Sequence, residues 1–161
     1  MSDLRVEKRR AAAELTLSTG VQVRGCFFLS GSSAAHAGPE RVADLLNAET
    51  GFFPFSLLGT GPDASTTVLY NRAHLVLVRL VEHTVEAQLD PGYDAATARH
   101  VSVLLSNAGR VKGSVRVYRP AGRDRLSDYA RSSETFRYIE AEDGTYIVNA
   151  AHVVELREIS E

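Results

Sequence analysis

Apolar and polar residues alternate with a period of two along much of the chain, the pattern of strands that bury one face. The clearest case is Val21, Val23, Gly25, Phe27 and Leu29 against Gln22, Arg24, Cys26, Phe28 and Ser30. A later stretch repeats it, with Val111, Gly113, Val115 and Val117 on one side. Arg110, Lys112, Ser114, Arg116 and Tyr118 take the other side. Further strands are predicted at 14–19, 52–58, 68–70 and 75–80, and again at 101–106, 134–140, 146–148 and 153–156. A short helix is predicted at 39–49, where Pro39 suits a first turn and Leu45 with Leu46 forms an apolar stripe. A second helix is predicted at 124–132. Residues 2–12 fit a short helix or a strand.

The two series of elements are one pattern written twice. Leu15 to Gly25 aligns without a gap with Val103 to Gly113 at an offset of 88 residues, matching Leu17, Ser18, Val23 and Gly25 identically. Glu40 to Asn47 aligns with Asp124 to Arg131, and the match continues to Phe52 and Phe136. Asn71 to Arg79 aligns with Asn149 to Arg157 at an offset of 78, sharing Asn, Ala, His, Val and Arg. The length differences fall in the Gly/Ser-containing stretches 31–38 and 59–65, and loops absorb insertions at modest entropic cost. The organisation read from this is a first repeat over 1–83, a joint over 84–98 and a second repeat over 99–161. A glycine at the same place in both long strands implies a bend or a close backbone approach. Short strands, tight turns and one helical insertion per unit predict a mainly β protein of two tandem small barrels.

The order of strand, strand with internal glycine, and a late strand–turn–strand reading Val-Leu-Tyr-Asn-Arg-Ala-His-Leu-Val-Leu-Val resembles the Sm-like small-barrel fold. The resemblance rests on Gly25 and Gly113 and on the polar turns Asn71–Ala73 and Asn149–Ala151. It departs where Sm-like RNA binders carry an Asp-x-x-x-Asn-type loop, since this chain places a helical segment there. The resemblance therefore implies the fold, and RNA binding does not come with it.

Composition narrows the function classes. Of 161 residues 44% are apolar and 24% charged, with a net charge of −2, so no global attraction to nucleic acid or anionic lipid is expected. The single Cys26 excludes an intrachain disulfide and a cysteine zinc cage. The charged start has no apolar signal core and no stretch reaches the roughly 18 apolar residues of a spanning helix, so a soluble cytoplasmic protein without membrane contact is expected. His36, His74, His83, His100 and His152 show no metal-ligand spacing, Ser32 and Ser33 lack a positioned base, and Gly59–Pro62 lacks a phosphate-loop lysine. No catalytic residue, metal or cofactor is expected. Two candidate surfaces remain. Between 99 and 139 the chain carries Arg99, Arg110, Lys112, Arg116, Arg119, Arg123, Arg125, Arg131 and Arg137 against only Asp124, Asp128 and Glu134. Arg110, Lys112, Arg116 and Tyr118, extended by the Arg119-x-x-x-Arg123 pair, form a candidate face for RNA or another anionic ligand. Phe28, Phe52 and Phe53 form a candidate interface for a second copy or a protein partner. The leading expectation is an assembly or protein-interaction module that self-associates through strand edges, with nucleic-acid or anionic-ligand binding as the alternative.

Overall fold

A computed structural model describes residues 9–31, 38–59, 65–81, 86–118, 122 and 125–160. The elements run β1 (Arg9–Leu17), β2 (Gln22–Leu29), α1 (Val42–Ala48), β3 (Phe52–Leu58), β4 (Ser65–Asn71) and β5 (Leu75–Leu80). After two short 3-10 turns, Glu86–Leu89 and Tyr93–Ala95, come β6 (Thr97–Leu105), β7 (Arg110–Val117), α2 (Leu126–Ala130), β8 (Phe136–Ala141), β9 (Gly144–Asn149) and β10 (Val153–Glu158). The protein is mainly β, and each half repeats the other element for element.

The strands join one antiparallel sheet in the order β10-β6-β7-β8-β9-β5-β1-β2-β3-β4. Two separate closed barrels do not form. The halves merge where β5 pairs with β9, placing Leu77 opposite Val148, Val78 opposite Ile147 and Arg79 opposite Tyr146. Each half contributes its strands in the same order, fifth, first, second, third, fourth, so the halves follow one another head to tail along the sheet. A twofold axis would exchange unlike strands, so none relates the halves. His74 and His152 are equivalent positions in the two halves. Each sits in its own 3-10 turn, with Nδ1 2.8 Å from Ser18 Oγ or Ser106 Oγ. Each turn is capped by an asparagine whose Oδ1 accepts from the backbone two residues on, Asn71 from Ala73 and Asn149 from Ala151.

The internal glycines have the expected close approach. A side chain at Gly113 would meet the Glu140 carbonyl oxygen at 2.5 Å, and one at Gly25 would collide with the Ser56 carbonyl. Bare backbone at these points lets β2 fold over β3 and β7 over β8. The inner faces then close over two cores. The first is built around Leu15, Phe27, Leu46, Phe53, Phe55 and Val78, and the second around Val101, Val103, Val111, Val115 and Ile139. The shared pair β5–β9 is a partition between them. Val76 of β5 enters the second core, and Phe136 and Ile147 of the second half enter the first.

Candidate assembly edges and the clasp between the halves

A buried polar clasp locks the two halves at the start of α1. Arg41 pairs with Asp44 at 2.9 Å and with Asp90, and donates to the Glu86 carbonyl at 3.1 Å. The Glu86 carboxylate accepts from the Val42 amide at 2.9 Å, satisfying a helix-start donor, and from the Tyr138 hydroxyl at 2.7 Å. One carboxylate thus ties the joint between the repeats to α1 and to β8. Asn47 adds a two-way bond to the Phe136 backbone, 2.8 Å in each direction. Burial holds the Glu86 carboxyl above its ordinary value of 4.5, against the opposing pull of Tyr138, Val42 and the Arg41 charge. Between that value and the raised native one, the native state keeps a proton that the unfolded chain has released. Stability therefore falls as pH rises through this window. Glu86→Gln keeps the acceptor oxygen and removes the charge, so it is expected to flatten that decline. Urea midpoints for both proteins from about pH 4.5 to 8 would check it, and parallel profiles would refute the assignment.

The basic face proposed from β7 is divided in the fold. Arg110 and Lys112 are exposed and border a shallow cavity between the halves, beside Arg79, Glu14, Asp143 and Tyr146. Arg110 lies 3.7 Å from Glu155 and donates to Ser102 Oγ. Arg116 and Tyr118 line a different cavity of about 320 Å³, between α2, β8 and the joint. Asp90, Asp128, Glu134 and Glu140 line it too. Arg116 stacks on Tyr93 at 4.1 Å and donates to its hydroxyl and to the Ala96 carbonyl, while Tyr118 donates to Asp90. Burial, reinforced by Asp90, pushes the Tyr118 hydroxyl far up, and burial raises the Tyr129 hydroxyl in the same cavity to about 12. Among the described residues the cavity is lined by more carboxylates than guanidiniums. Arg137 is also committed, donating to the carbonyls of Tyr129, Ser132 and Glu134 at the end of α2. Arg119, Arg123, Ser32, Ser33, His36 and His83 lie outside the described residues. Among the described residues no group of His, Cys, Asp and Glu is placed to hold a metal ion, and no helix is long and apolar enough to cross a membrane.

The three candidate interface phenylalanines separate. Phe53 is wholly buried in the first core and Phe28 is half covered, with Arg10 5.5 Å above its ring. Phe52, at the outer end of β3 beside edge strand β4, is 60% exposed. Comparison of the halves explains it. Phe136, its counterpart at the inner junction, is 3% exposed. Ile147 is fully buried at that junction, and its counterpart Leu69 on edge strand β4 is 63% exposed. Val76 is fully buried, and its counterpart Val154 on edge strand β10 is 65% exposed. Three positions that are packed where the halves meet are bare where the sheet ends. Leu69 and Val154 escape a reading of strand periodicity, because each has the residue type of a core position. Their signal lies in the repeat alignment, once the buried counterpart is known.

No family model matches the chain, and no curated protein or solved structure matches it.

Proposed function

We propose that the chain is a non-enzymatic assembly module, built from two Sm-like units merged in one open sheet, that self-associates through its open strand edges. The observation that carries this reading is the exposure of Phe52, Leu69 and Val154 at the two ends of an open ten-strand sheet. An open edge presents unpaired backbone donors and acceptors, which native sheets normally guard with charge, proline or a bulge. β4 runs Ser-Thr-Thr-Val-Leu-Tyr-Asn and carries no such guard. Burying three large apolar side chains contributes about 2 kcal/mol each. That total only just reaches the lower end of what association costs in lost freedom, so strand hydrogen bonds along the edge must supply the remainder. Binding of RNA or another anion through Arg110, Lys112, Arg116 and Tyr118 lacks comparable support, because Arg110 and Arg116 have local acceptors and acids share their cavities.

Light scattering over a range of protein concentrations tests the reading. Particles of multiples of 17.5 kDa are expected, dissociating to monomers on Leu69→Lys. A wild-type protein that stays monomeric at every concentration would overturn it.

A further inference from the structure

We infer that the cavity between α2, β8 and the joint binds a small organic cation, a guanidinium or primary ammonium on a short aliphatic stem. At about 320 Å³ it has the size at which small-molecule pockets begin. Its walls bring the carboxylates of Asp90, Asp128, Glu134 and Glu140 together with the rings of Tyr118, Tyr129 and Tyr138. These are the two kinds of surface that attract an organic cation, the first by charge and hydrogen bonding, the second through the negative face of the ring. None of the lining residues belongs to edge strand β4 or β10, so the site stands apart from assembly.

The guanidiniums in the cavity wall leave this charge unmet. Arg116 gives its end nitrogens to the Ala96 carbonyl and the Tyr93 hydroxyl. Arg137 gives all three of its nitrogens to backbone carbonyls. Both cations are therefore spent on neutral acceptors, and among the described residues neither forms an ion pair with a cavity carboxylate. Asp90 is met by Arg41 and by the Tyr118 hydroxyl, and Glu140 accepts from the Tyr93 hydroxyl through Oε1. The Glu134 carboxylate has no donor among the described residues. Partial burial and the nearby Asp90 charge raise its pKa above the ordinary 4.5, with only partial relief from Arg41 and Arg137. A cation seated between Glu134 and Asp90 removes that repulsion.

The first half shows how this protein holds such a cation. The Arg41 guanidinium, at the start of α1, pairs with Asp44 and Asp90 and lies 5.5 Å from the centre of the Tyr138 ring. Its counterpart at the start of α2 is Arg125, and the counterpart of Asp44 is Asp128. The Arg125 side chain is 70% exposed, and its Nε comes only within 3.5 Å of Asp128. The second half thus keeps the aspartate and turns its own arginine towards solvent. A ligand cation takes there the part that Arg41 plays in the first half.

Isothermal titration calorimetry of the full chain with agmatine, which carries a guanidinium and an ammonium, tests the site. Saturable binding of one agmatine per chain is expected, weakening as salt is added. Glu134→Gln is expected to raise the dissociation constant about tenfold, the loss of one charge-assisted bond. The Glu134 side chain is exposed and holds no other group in place, so the variant is expected to fold, and circular dichroism checks that it does. No saturable heat up to about 10 mM agmatine, where even a millimolar site fills, would overturn the inference. So would equal affinity in Glu134→Gln, or tighter binding of the dicarboxylate pimelate than of agmatine. A chain that binds agmatine yet stays monomeric at every concentration would overturn the assembly reading and leave this site standing.

Discussion

Gly25→Ala is expected to lower the unfolding free energy by about 3 kcal/mol, as an overpacked core position does. The added Cβ would fall on the Ser56 carbonyl oxygen and 2.8 Å from the Phe55 ring. Neither can step aside, because Ser56 belongs to the β3 backbone and Phe55 is wholly buried, 5.1 Å from Phe27 in an edge-on contact. Opening β2 from β3 would relieve the clash but would expose the phenylalanine cluster. Gly113→Ala meets the same obstacle against Glu140 and Ile139 and is expected to act in the same direction. Gly31 supplies the control, with nothing within 4 Å of its added Cβ, so Gly31→Ala is expected to leave stability unchanged. Urea denaturation of the three variants measures the contrast. A Gly25→Ala protein within about 0.5 kcal/mol of wild type would remove the close approach from the account.

Arg72→Ala is expected to cost about 4 kcal/mol, through buried acceptors left without a donor. Arg72 is 4% exposed, and its guanidinium donates to the carbonyls of Leu45 and Leu46 at 3.0 and 3.1 Å and of Phe52 at 2.6 Å. The first two are among the terminal carbonyls of α1, which no residue of the helix itself can satisfy. Burial lowers the Arg72 pKa while Glu49 pulls it up, and the forked donor set over the Phe53 ring holds α1 to β3. Arg72→Lys is expected to fall between wild type and alanine, because an ammonium lacks the planar fork. Thermal unfolding of the pair is the measurement, and an alanine variant within about 1 kcal/mol of wild type would show that water replaces the guanidinium at no cost. The counterpart of Arg72 in the second half is Ala150. There the helix end is closed by Arg137, from the strand that follows it. The same requirement is met from a different place in the repeat.

That substitution shows where reading the chain succeeds and where it stops. Strands β3 and β5 lie at 52–58 and 75–80, where alternation places them, because their pattern is local. Both helices form, shorter than 39–49 and 124–132 suggest, each beginning just after the cap residue, Arg41 or Arg125, whose backbone amide donates to Asp44 or Asp128. The glycines in β2 and β7 signal their close contacts because no other residue fits. The course of the sheet beyond one repeat is a different matter. Nothing local to β5 says whether it pairs with its own β4 or with β9, so two closed barrels and one open sheet share a single pattern. The division of the basic face over β7 is illegible for a related reason. Its acids come from afar, Asp90 reaching Tyr118 and Glu140 reaching Tyr93 across the fold. The clasp at Glu86 lies in the joint between the repeats, where no periodicity marks it. Leu69 and Val154 were legible only as core-type residues, and exposure separates them from their counterparts.

The crossing of side chains through the β5–β9 partition has a consequence for what counts as a module. A cut within 84–98 would free two segments, each carrying a full set of strands, yet neither would be finished. The first would lose Phe136 and Ile147 from its interior, and the second would lose Val76. What was written twice is the half, and each half fills part of the other's interior.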